Sequence, residues 1–176
     1  MFDLRWTAAA LLFAASLVVS LTGKVLAQER TTATYDDWVL QCAADAAKSG
    51  QKTCDIEQVT QMQDQGRNVP LSRVAIGRPE KGQPVMLTVQ VPVNVFLRAG
   101  VIIKTGEADP GLTAPFERCL PVGCFADFAL KDDAVRKFRG ATTAGKITFQ
   151  VANGQNIAIP LSFKGFGPAF DALAKE

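Results

Sequence analysis

The chain has 176 residues, 48% hydrophobic and 20% charged, with four cysteines, no histidine and a formal net charge of +2. That length suits one domain, and a charge so near neutral argues against an electrostatic nucleic-acid binder. Without histidine, Ser-His-Asp and Cys-His nucleophiles, His-ligated zinc and imidazole acid–base chemistry are excluded within the chain, so composition points away from an enzyme.

At the N-terminus Arg5 precedes an uncharged, largely apolar run from Trp6 to Gly23, and Lys24 is followed by Val25-Leu26-Ala27. A basic start, a short apolar stretch and small residues before a cut mark residues 1–27 as a signal peptide cleaved after Ala27. The alternative is a retained anchor helix, because the run lies at the lower limit of a membrane span. Residues 28–36 are polar and read as a flexible tether, which leaves 37–176 as a single domain in the periplasm or outside the cell.

Cys42, Cys54, Cys119 and Cys124 all follow the expected cut. An even number in an exported chain implies disulfides. Three connectivities are possible. Cys42–Cys54 with Cys119–Cys124 is preferred, because each pair is close in sequence and encloses turn-forming residues, Lys48-Ser49-Gly50 and Pro121-Val122-Gly123. A four-thiolate zinc site fits these spacings poorly, and no metal or cofactor is expected.

Short β segments then follow one another. Trp38 to Cys42 alternates with Trp38, Leu40 and Cys42 on one face, and Thr53 to Gln58 sets Cys54, Ile56 and Gln58 against Asp55 and Glu57. Ser72–Gly77 comes next, then Val85–Val91, whose buried face is Val85, Leu87, Val89 and Val91 before Pro92 ends it. Val93–Leu97 and Val101–Lys104 flank a turn at Arg98-Ala99-Gly100, and Cys124–Leu130 is a further strand. Lys146–Val151 and Asn156–Phe163 form a hairpin, with Asn153-Gly154 expected in a type I′ turn.

Helix signals are two. Asp132 or Asp133 can cap a short helix through Phe138, with Arg136, Lys137 and Arg139 at its negative end. Pro168 suits the first turn of a C-terminal helix carrying Phe170 and Leu173. The fold class is therefore mostly β: an antiparallel sandwich or flattened barrel with one or two short helices, stapled by two disulfides.

Few segments suggest chemistry. Gly140 to Ile147 approximates a P-loop, but Ile147 stands where Ser or Thr must ligate magnesium, and a strand follows instead of a helix. Gly165-Phe166-Gly167 reads as a turn. Asp36, Asp37, Asp55, Glu57, Asp127, Asp132 and Asp133 could in principle supply a glycosidase-like pair, yet no two are marked as facing one cleft. Phe163, Phe166 and Phe170, with Arg136, Lys137 and Arg139, form the candidate interaction surface, although core packing is the ordinary fate of such phenylalanines.

Together the segments resemble the invasion-associated locus B family of exported bacterial proteins. The resemblance is carried by Asp37-Trp38-Val39-Leu40-Gln41-Cys42, Cys54-Asp55-Ile56-Glu57-Gln58, Cys119-Leu120-Pro121-Val122-Gly123-Cys124 and Pro160-Leu161-Ser162-Phe163-Lys164-Gly165-Phe166. Leu120 between Cys119 and Pro121 departs slightly from the family pattern. The resemblance implies a periplasmic or secreted disulfide-bonded β domain, associated in some pathogens with entry into host cells, and brings no catalytic residues. The expected function is non-enzymatic binding of an envelope or host macromolecule, with membrane contact only through an uncleaved leader. The alternative is a small-ligand carrier with an apolar pocket between its β layers.

Overall fold

A computed structural model describes residues 30–45, 51–80 and 82–176; the expected leader lies outside them. Among the described residues, eleven strands form two antiparallel sheets. β1 (Arg30–Tyr35), β2 (Trp38–Asp45), β3 (Gln51–Asp64), β4 (Arg67–Gly77), β5 (Met86–Val91), β8 (Phe116–Leu120) and β9 (Gly123–Ala129) build a seven-stranded sheet in the order β1-β2-β3-β4-β5-β9-β8. β6 (Val101–Lys104), β7 (Leu112–Ala114), β10 (Gly145–Gln150) and β11 (Asn156–Leu161) build a four-stranded one in the order β11-β10-β6-β7. Helices α1 (Asp132–Arg139) and α2 (Phe166–Leu173) complete the domain, and α2 packs on β1, β2 and β3.

The period of two explains which faces meet. Trp38, Leu40, Ile56, Val74, Ile76, Leu87 and Val89 from the large sheet, with Val101, Ile103, Ile147 and Ile159 from the small one, are buried in a single core. Both disulfides have the preferred pairing. Cys42 lies directly opposite Cys54 across β2 and β3, and Cys119 opposite Cys124 across β8 and β9.

Four expectations are corrected. Arg30–Tyr35, expected within the tether, pairs with β2 as an edge strand. Its first five residues are exposed, so it carries no alternation for the sequence to display. Val93–Leu97 is not a regular strand: Val95 makes one bridge to Val151, and Leu97–Ala99 is a 3-10 turn. Pro92 cannot donate to a ladder, and here the chain crosses from the large sheet to the small one.

The Asn153-Gly154 loop has positive φ only at Gly154, whose N–H bonds the Val151 carbonyl. It is a three-residue connection rather than a two-residue type I′ turn. Gln65-Gly66 instead holds positive φ at both central positions, 49° and 77°, between the paired Asp64 and Arg67. Finally, α1 is preceded by Lys131 as its cap, with Asp132 and Asp133 inside the first turn. They face the helix's positive end without a capping hydrogen bond. The P-loop-like stretch leads into β10, as the alternation beyond Ile147 requires.

Candidate interaction surface

The residues expected at the surface are mostly inside. Phe166 is fully buried and Phe163 nearly so. With Trp38 and Phe138 they form an aromatic cluster, ring centroids lying 5.4 Å apart for Trp38–Phe166, 5.5 Å for Phe138–Phe166 and 4.9 Å for Phe138–Phe163. Phe170 is half-buried beneath the Arg139 guanidinium, 5.4 Å from its ring centre. Arg139 also pairs with Asp171 at 2.6 Å, which raises the pKa of the arginine and lowers that of the acid.

Lys137 is bound to Asp109 in the β6–β7 loop. Burial alone would raise the Asp109 carboxyl, but the Lys137 hydrogen bond and the Thr105 and Gly111 N–H groups outweigh it and hold it well below the usual carboxylate range. Of the basic cluster, Arg136 alone is exposed without an ion pair among the described residues. The correction has a plain cause: Asp109 of the β6–β7 loop and Asp171 of α2 claim two of the cations, and α2 turns its own Phe166 into the core.

Three of the segments that carry the family resemblance converge at one junction. The Ser162 carbonyl accepts from Trp38 Nε1 at 3.0 Å and from Gln58 Nε2 at 3.0 Å, and Ser162 N–H donates to Gln58 Oε1 at 2.8 Å. Its hydroxyl donates to Asp37 at 2.6 Å. Gly165 permits this closure: at φ 82°, a Cβ there would stand 2.0 Å from the Tyr35 carbonyl oxygen. The junction is thus an internal brace between β2, β3 and the chain leaving β11.

Of the acids considered for catalysis, Asp55 and Glu57 share one arginine and the others lie apart from them. On the outer face of the large sheet Arg73 bonds Asp55 at 3.2 Å and also holds Glu57, while Asp127 receives Arg118 at 2.8 Å and the Thr88 hydroxyl at 2.7 Å. Burial pushes the Asp55 carboxyl above its ordinary value, against the lowering effects of Gln41 and Arg73. Asp36 meets Lys164 at 3.0 Å, and Asp132 and Asp133 are exposed in α1.

Large apolar side chains exposed among the described residues gather at one end of the molecule. β3 and β4 run past their neighbours there, presenting Val59 and the directly opposed pair Met62 and Val69. β5 ends there, followed by Val93, Phe96 and Leu97, and the β8–β9 turn presents Leu120 and Val122, which is 70% exposed. The register puts Val91 opposite Cys124, so these loops are neighbours, and Gln90 Nε2 holds the Val122 carbonyl at 2.8 Å. Gly123 allows the close fit, since a Cβ would lie 2.6 Å from the Val91 carbonyl. None of these residues belongs to the candidate surface read from the sequence. The available signal was an apolar residue at a turn's tip, Val122, and apolar residues continuing beyond the strand-ending Pro92.

The family model for the invasion associated locus B (IalB) protein matches residues 38–174. The invasion protein B homologs of Brucella abortus strain 2308 and of Brucella abortus biovar 1 strain 9-941 are each 27% identical over 171 residues, covering 97% of this chain and 92% of theirs. The crystal structure of invasion associated protein B from Bartonella henselae superposes with a TM-score of 0.68 at 19% identity, over 82% of this chain and 95% of that one, and is similar in fold. With two antiparallel sheets, the larger braced by both disulfides, and a family match spanning the domain, the chain belongs to the invasion-associated locus B family.

Proposed function

We propose that this protein is an exported, non-enzymatic binding domain that docks its apolar loop end on a component of the cell envelope or host surface. The observation that carries this reading is the gathering of Val93, Phe96, Leu97, Leu120 and Val122 on neighbouring loops. Exposed apolar residues grouped in this way mark interaction sites, whereas scattered ones need no explanation. A role in host-cell association is supported by the names of the Brucella and Bartonella relatives. Export is supported by the sequence of residues 1–27, and no described helix is long and apolar enough to cross a membrane. The absence of histidine and the pairing of Asp55, Glu57 and Asp127 with arginines favour binding over catalysis.

Recovery from crosslinked envelope fractions tests this. The native chain should bring down a cross-linked component that Leu97→Ser with Val122→Ser loses, and equal recovery by both would refute the assignment.

A second reading, as a small-ligand carrier, draws on a cavity of about 430 Å³ beneath the end of α2. Phe170, Leu173 and Val85 give it apolar walls, and Arg78 gives it a cation beside Glu80 and the Lys52–Glu176 pair. It opens at an end of the domain rather than between the two sheets. Its size falls in the range of small-ligand sites. Thermal stabilisation by an amphipathic anion such as a fatty acid, abolished by Arg78→Glu, would favour it.

A further inference from the structure

We propose that the loop end docks on an anionic membrane surface, with Phe96, Leu97 and Val122 entering the headgroup–acyl boundary and Arg98 meeting the lipid phosphates. The proposal rests on the reading of this end as the interaction surface and names what it meets. It also departs from the sequence expectation, which gives membrane contact to the leader alone.

Charge is the first observation. Residues 92–100, 119–124 and 151–155 together carry a single charged side chain, Arg98. The β3–β4 tip at the same end adds one charge of each sign, Asp64 and Arg67, whereas the loops at Asp36-Asp37 and Glu107–Asp109 are acidic. A lone arginine beside exposed Phe96 and Leu97 can keep its head among phosphates while its stem lies along apolar surface.

The backbone is the second. Entry into an apolar phase is costly for any unpaired N–H or C=O. Here Phe96 N–H donates to Gln150 O at 2.7 Å, Ala99 N–H to Phe96 O at 3.1 Å, and Ala152 N–H to Asn94 O at 2.7 Å. The Val122 carbonyl is taken by Gln90, and the turn that bears it is closed by Cys119–Cys124. Shape is the third. The apolar side chains stand on separate segments, the β5–β6 connection between the sheets and the β8–β9 turn within the large one, not on one strand face. A fluid bilayer receives separate tips without requiring a matching pocket, and shallow insertion of this kind draws on both apolar burial and attraction to anionic lipid.

The test uses protein purified from cells that export it, mixed with phosphatidylcholine vesicles with and without phosphatidylglycerol and sedimented. Every variant carries the same N-terminus, so the comparison isolates the loop end. Binding is expected to the phosphatidylglycerol vesicles, reduced about tenfold or more by Leu97→Ser with Val122→Ser and about fivefold by Arg98→Gln. Leu97→Trp should show blue-shifted emission on the same vesicles, and circular dichroism should confirm that each variant is folded. Absence of vesicle binding, or binding that the double serine variant leaves unchanged, overturns the proposal. If vesicles fail while Leu97 and Val122 are still needed to capture a protein, the lipid assignment falls and the interaction surface stands. If both fail, both fall.

Discussion

Two apolar regions of this domain share a composition and differ in fate. Trp38, Phe138, Phe163 and Phe166 lie under α1 and α2, braced by the hydrogen bonds around Ser162. Val93, Phe96, Leu97, Leu120 and Val122 lie at the loop end, exposed to solvent. The first region contains much of what makes the chain resemble its family, and those residues are spent on holding sheets and helices together. The second contains little of that pattern beyond the turn between Cys119 and Cys124. A family motif can thus report how a chain folds while the surface that meets a partner lies elsewhere.

Substitutions should separate the two regions. Phe166→Ala has the largest expected effect, a loss of about 3–5 kcal/mol in denaturant unfolding, because it empties the centre of the aromatic cluster. A loss well under 1 kcal/mol would show that the cluster does not support the fold. Next come the disulfides. Replacing both Cys42 and Cys54 by Ala should cost about 3 kcal/mol and replacing both Cys119 and Cys124 about 2 kcal/mol, following the lengths of the loops they close. The second pair, not the first, should also weaken capture of the partner, since it shapes the turn that presents Val122.

Asp109→Asn should cost about 1–3 kcal/mol near neutral pH by removing the carboxylate that anchors Lys137 and the Thr105 and Gly111 N–H groups. The folded-state pKa is depressed below the ordinary 3.8. The native advantage should therefore be full above about pH 4 and fade as the pH falls through the lower folded value. A gap between native and variant that widens in acid would contradict this assignment. Leu97→Ser should move stability least, by about 0.5 kcal/mol or less, while reducing partner capture most.

Strand alternation made much of the architecture legible. Alternation sets Trp38 and Leu40 on one shared face and Leu87 and Val89 on a buried one, and the spacing of the cysteines points to both pairs. β1 was hidden because an exposed edge strand needs no alternation: its pairing comes from the backbone. The candidate surface was misplaced for a different reason. Phe163, Phe166 and Phe170 are close in sequence, but whether a phenylalanine is covered depends on where α1 lies, and α1 seats Ala134 and Phe138 in the core against Phe163 and Phe166. The loop end went unread because its members are far apart in sequence, and only the register of β5 with β9 brings Val93 beside Val122.

A photo-crosslinking side chain placed singly at Val122, and in a second strain at Thr88 on the outer face of the large sheet, tests the central claim most directly. In cells producing the protein, irradiation should yield a discrete adduct from position 122 and none from position 88. Equal labelling from both positions, or an adduct from position 88 alone, would contradict the assignment of the loop end as the interaction surface.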